Sequence, residues 1–80
     1  MTYEEAEKML EDKEGEYMKN GKQFTKGLGI IEEYSPVEGL AAEHDVLYVS
    51  KFIEQMSEEH ILQLYQWGFH LSEESWAYFT

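Results

Sequence analysis

The sequence predicts a small α+β domain of order α-α-β-α-β-β, with helices packed on one face of a roughly three-stranded antiparallel sheet. Three observations lead there. Apolar residues recur at helical spacing between recognisable cap and stop residues, Val46 to Val49 form a short β-branched and aromatic run, and the aromatic final stretch is broken by the polar triplet Ser72-Glu73-Glu74. Eighty residues make a single domain, 1–80, with one thin core; residues 1–22 are expected to form a peripheral N-terminal helix.

The first helix is announced by Thr2-Tyr3-Glu4-Glu5, a capping box in which the threonine oxygen accepts from a backbone amide and Glu5 reaches back to the cap. Ala6, Met9 and Leu10 supply its apolar stripe, and Asn20-Gly21 is a stop signal because both residues tolerate positive φ. A second helix is predicted over about 23–34, where Phe24, Leu28, Ile31 and Tyr34 keep the rhythm and Pro36 ends it. Gly27 and Gly29 weaken that helix by about 1 kcal/mol each, unless they permit close packing.

The run from His44 to Ser50 is predicted as the central strand, with His44 and Asp45 at its approach. The third helix has the clearest ends. Ser57 is its N-cap, Glu58 and Glu59 complement the helix dipole, and Met56 with Ile61 forms a hydrophobic staple. Gly68 supplies its left-handed stop, with Phe69 folding back on Leu64. A hairpin of short strands, Phe69–Leu71 and Ser75–Phe79, then completes the chain.

Composition narrows the function. There is no cysteine, which excludes a disulfide frame and a thiolate metal site. The opening is acidic where a secretion signal would be basic then apolar, and no apolar run reaches the roughly 18 residues of a membrane helix, so a cytoplasmic location is expected. Seventeen acidic residues against six lysines, with no arginine, give a formal net charge of -11. Such a surface repels nucleic-acid phosphate and anionic membranes, which excludes both as direct partners. The charge is uneven: ten acids and the lone Lys51 fall in residues 27–80.

The candidate sites divide into a chemical and a surface reading. His44-Asp45 is the pair a metal-dependent hydrolase or small regulatory protein would use, and His60 and His70 with nearby carboxylates would complete a nitrogen-and-oxygen ligand set. No HxH or HxxxH spacing joins the histidines, and adjacent strand residues point to opposite faces, so neither a catalytic group nor a metal or other cofactor is assigned. No serine has nucleophile-elbow flanks, and Gly27-Leu28-Gly29 lacks the third glycine and the preceding strand of a phosphate loop. Trp67, Trp76, Tyr78 and Phe79 read as core and sheet packing before they read as a recognition platform.

The surface reading rests on Glu32, Glu33, Glu38, Glu43, Asp45, Glu54, Glu58, Glu59, Glu73 and Glu74. Ordinary solvated faces mix signs; this one does not. Carboxylates spread over a small rigid body can occupy a lysine- and arginine-lined groove as a nucleic acid does. The expectation is a non-enzymatic protein-binding inhibitor, an acidic nucleic-acid mimic, whose partner is a protein with a basic surface. A homodimeric structural module joined through aromatics or a sheet edge is the further alternative.

Gly27-Leu28, Ile30, Tyr34-Ser35-Pro36, Ala42-Glu43-His44-Asp45 with Leu47-Tyr48-Val49, Trp67-Gly68-Phe69-His70 and the Trp76 and Phe79 ending together resemble a loosely defined group of short uncharacterised proteins of bacteria, their phages and mobile elements. The likeness covers about two thirds of the chain. That group has no settled activity, so no catalytic residues are transferred. What the resemblance implies is a phage-type inhibitor of a host defence system, such as an anti-CRISPR protein acting in the host cytoplasm on a CRISPR effector.

Overall fold

Helix α1, Tyr3–Glu11, starts where the capping box puts it: Glu5 N–H donates to Thr2 Oγ1 (3.2 Å) and the Thr2 amide donates to Glu5 Oε1 (2.8 Å). In this computed structural model, which describes residues 1–37 and 39–80, α1 is not peripheral. Ala6 and Leu10 are buried in the main core, because the apolar stripe of a short helix is stable in water only when it is covered. The helix ends at Glu11, well short of residue 22, and a 3₁₀ turn over Glu14–Glu16 carries the chain on. Gly21, at φ 78°, makes the turn that the Asn20-Gly21 pair predicts.

Helix α2 runs Phe24–Tyr34 and α3 runs Glu58–Gln66. On α3 the Ser57 hydroxyl accepts from the His60 amide (3.2 Å), and Gly68 at φ 95° terminates the helix with its amide donating to the Tyr65 carbonyl. Both ends are therefore as the sequence reads. Helix α2 lacks a side-chain N-cap and is held instead by packing: Phe24 lies against Phe69 and Tyr78, and Gly27 is pressed against the Phe69 ring.

The sheet has four strands rather than three. They are β1 (Ala41–Glu43), β2 (Val46–Lys51), β3 (Phe69–Ser72) and β4 (Ser75–Phe79), all antiparallel, in spatial order β1-β2-β4-β3. The order along the chain is thus α-α-β-β-α-β-β. The extra strand is β1, which pairs Glu43 with Val46 and so makes His44-Asp45 a two-residue hairpin turn instead of the start of a strand. His44, at φ 55°, takes the left-handed conformation that histidine adopts more readily than most non-glycine residues. The strand Val46–Lys51 is interior, as expected, and a bulge between Tyr48 and Ser50 shifts its register against β4.

Because side chains alternate along a strand, the register sorts them onto two faces. Leu47, Phe69, Leu71, Trp76 and Tyr78 share one face, and the contacts of Phe24 and Gly27 place α2 on it. Trp76 and Phe69 are fully buried with Ile31, Ile61 and Leu64, each burial stabilising by about 1.5–3 kcal/mol. α3 contacts β3, and α1 and α2 both pack on α3. Val46, Tyr48, His70, Ala77 and Phe79 share the opposite face, where Phe79 remains 45% exposed.

Candidate functional site

Every carboxylate of the surface reading that lies among the described residues is exposed: Glu32, Glu33, Glu43, Asp45, Glu54, Glu58, Glu59, Glu73 and Glu74. Glu38 lies outside the described residues. The fold explains the exposure element by element. Glu32 and Glu33 follow Ile31 on the outer side of α2, Glu58 and Glu59 form the first turn of α3, Glu43 ends β1, Asp45, Glu73 and Glu74 lie in hairpin turns, and Glu54 lies in the loop after β2. Among the described residues the single ion pair is Lys19–Glu16 (3.1 Å), so none of the nine has a neutralising partner.

The nine do not form one cluster. Glu43 and Asp45 lie at one end of β2, while Glu73, Glu74 and Glu54 lie at the other, where Glu54 and Glu74 line a shallow concavity of about 230 Å³ with Tyr3, Lys51 and Phe52. A larger groove of about 540 Å³ adjoins it, between the end of α2 at Tyr34-Ser35-Pro36 and the Val49–Gln55 segment. Glu58 and Glu59 stand beside the α2 terminus, because Tyr34 Oη is bonded to His60 Nδ1 (2.6 Å) and accepts from the Ser57 amide (3.3 Å). The acidic surface therefore wraps the molecule.

The Glu73-Glu74 turn has an unexpected backbone. Ser72 pairs with Ser75, and both glutamates take positive φ, 50° and 60°, the type I′ geometry that favours asparagine and glycine. Two carboxylates are held where side chains cost stability, about 1–2 kcal/mol per left-handed residue. The Glu74 carbonyl is tied down by the Phe52 amide (2.9 Å), which fixes the turn against the end of β2.

The histidines do not converge. His44 sits at the β1–β2 turn, His60 is bonded to Tyr34, and His70 is stacked on Phe79 (4.3 Å between centroids) with Tyr17 edge-on (6.4 Å). Among the described residues no group of three or more histidine or carboxylate side chains is arranged to hold a metal ion. His70 was underrated by sequence. Its Nδ1 is buried with no hydrogen-bond partner among the described residues, burial pushes its pKa down, and it lines a cavity of about 180 Å³ with Glu7, Leu10, Glu11, Glu14, Tyr65 and Leu71. No local spacing marks such a residue; only the β3 register, which sets His70 beside Ala77, brings it there.

The aromatic residues are mostly core, as expected for Trp76 and Tyr78, and Phe79 is the exception on the open face. Comparison with protein families, curated proteins and solved structures yields no match. Fold and surface together define a small acidic α+β domain with uncompensated carboxylates. No helix among the described residues is long and apolar enough to cross a membrane.

Proposed function

We propose that this protein is a non-enzymatic, protein-binding inhibitor that occupies a basic nucleic-acid-binding surface of its partner. The observation that supports this most directly is the combination of nine exposed carboxylates in residues 32–74 with a single ion pair, elsewhere in the chain, among the described residues. A surface serving solubility alone is normally interspersed with lysine and arginine; here the second half of the sequence offers Lys51 alone. The two glutamates in the β3–β4 turn add to this, since they are held in a backbone conformation that disfavours them. Carboxylates on a body about 30 × 24 × 21 Å can engage the lysines and arginines of a groove that otherwise takes phosphates. Identifying the partner as a host defence nuclease, such as a CRISPR effector, rests on the resemblance alone.

The test is capture from bacterial lysate with the immobilised protein, followed by elution with a nucleic-acid duplex or with salt. Nucleic-acid-binding proteins released by the competing duplex are the expected result. Partners without basic grooves, or partners that the duplex fails to displace, would sink the reading. The variant Glu58→Gln/Glu59→Gln should weaken capture while the protein stays folded, because glutamine keeps the helix propensity and removes the charge.

A further inference from the structure

We propose that the free edge of β1 is the point at which a basic, extended segment of the partner adds to the sheet as a fifth strand. The inference rests on the protein-binding reading above and names where and how the contact is made. β1 is one of the two outer strands of the sheet, Ala41, Ala42 and Glu43 are all exposed, and Leu40 before it is 46% exposed. β1 carries no lysine, proline or bulge; of the devices that guard natural edges it has its shortness, three residues, and the charge of Glu43, which repels an acidic partner and attracts a basic one.

The hydrogen-bonding pattern shows which backbone groups are free. Thr80 N–H donates to the Asp45 carbonyl (2.9 Å), which makes Val46–Phe79 a non-hydrogen-bonded pair and turns the Val46 N–H and C=O toward β1. Glu43 and Val46 are then a hydrogen-bonded pair, and by alternation the N–H and C=O of Ala42 point outward. An added strand bonds there. Its side chains also find unfilled space, because Ala41 lies opposite Tyr48 and Ala42 opposite Leu47, so the two half-buried residues have only methyl groups beside them on the β1 side.

Charge selects the occupant. Glu43 and Asp45 flank the edge, and a second copy of a chain of net charge -11 would bring its own Glu43 and Asp45 against them. A segment alternating cationic and apolar residues instead places its apolar set on one face of the sheet and its lysines or arginines on the other, the face Glu43 shares with Val46, with the Asp45 charge at the same end.

The experiment titrates a short peptide of alternating lysine and valine into the isotope-labelled protein at low ionic strength, with amide spectra and hydrogen exchange as readouts. The control is a peptide of the same sequence and charge, N-methylated at consecutive backbone positions so that neither of its edges can add as a strand. The expected result is perturbation of Leu40–Glu43 and β2 amides and slowed exchange at Ala42. Affinity should fall at least tenfold for the methylated peptide and for Ala42→Pro, a substitution that an edge strand tolerates where its N–H faces solvent. Equal, salt-sensitive affinity for both peptides, or unchanged binding by Ala42→Pro, overturns the edge proposal and leaves the acidic-surface reading standing. Failure of both peptides to bind overturns both. Concentration-dependent dimerisation that Ala42→Pro abolishes assigns the edge to a second copy and overturns the proposal of a basic partner.

Discussion

Gly27 and Gly29 lie two residues apart on α2 and meet different surroundings. A methyl group at Gly27 would overlap the Phe69 ring, whereas among the described residues nothing lies within 4 Å of the corresponding position at Gly29. Gly27→Ala gains about 1 kcal/mol in helix propensity but forces an overpacked core that costs about 1–3 kcal/mol, so a net loss is expected. Gly29→Ala has only the gain. Denaturant titration of the two variants should therefore give opposite signs, and equal signs would show that the α2–β3 contact is softer than the geometry implies. His70 makes a second prediction at this scale. Its folded pKa is lowered by burial from an unfolded value of about 6.5, so below that value the unfolded chain takes up the proton more readily than the native one. Stability from this residue is full above about pH 6.5 and is lost as pH falls through the folded value. A fall in melting temperature as pH drops below about 6.5 should therefore shrink in His70→Phe, which keeps the stacking on Phe79 and cannot ionise.

At the scale of elements, the β3–β4 turn separates what stabilises the fold from what the surface presents. Replacing Glu73-Glu74 by Asn-Gly supplies the residues a type I′ turn favours and relieves about 1–2 kcal/mol of backbone cost, worth a rise of roughly 4–16 °C in a domain of this size. The same change should weaken partner capture, and a variant that is more stable yet binds unchanged would remove these two carboxylates from the proposed interface. Helix ends were legible in the sequence because caps are local chemistry: Thr2, Ser57 and Gly68 each act on backbone groups within a turn of themselves. β1 was not legible. Ala41-Ala42-Glu43 has no strand propensity of its own, and the strand exists because β2 offers it a ladder across a two-residue turn that carries neither asparagine nor glycine. The extent of the acidic surface was readable from charge alone, but its division between the two ends of β2 follows from the pairing of Lys51 with Ser75 and of Val46 with Phe79, which local spacing cannot report.

On the scale of the whole molecule, salt should act on stability and on binding with opposite signs. The carboxylates repel one another in the folded state, where a net charge of -11 is confined to about 30 × 24 × 21 Å and the single ion pair among the described residues does little to offset it. At about 0.01 M salt the screening length is roughly 30 Å, so charges at the two ends of β2 still interact. At about 0.1 M it is roughly 10 Å, and only near neighbours do. Raising salt through that range should therefore raise the melting temperature, since long-range repulsion is removed while the apolar core is untouched. Association with a basic groove depends on the same field with the opposite sign, so the same salt increase should weaken the complex, chiefly by slowing its formation. Thermal melts and binding rates measured over one salt series test both halves. A protein whose stability rises with salt while its binding does not fall would hold its partner by apolar contact at Phe79 and the open sheet face rather than by charge.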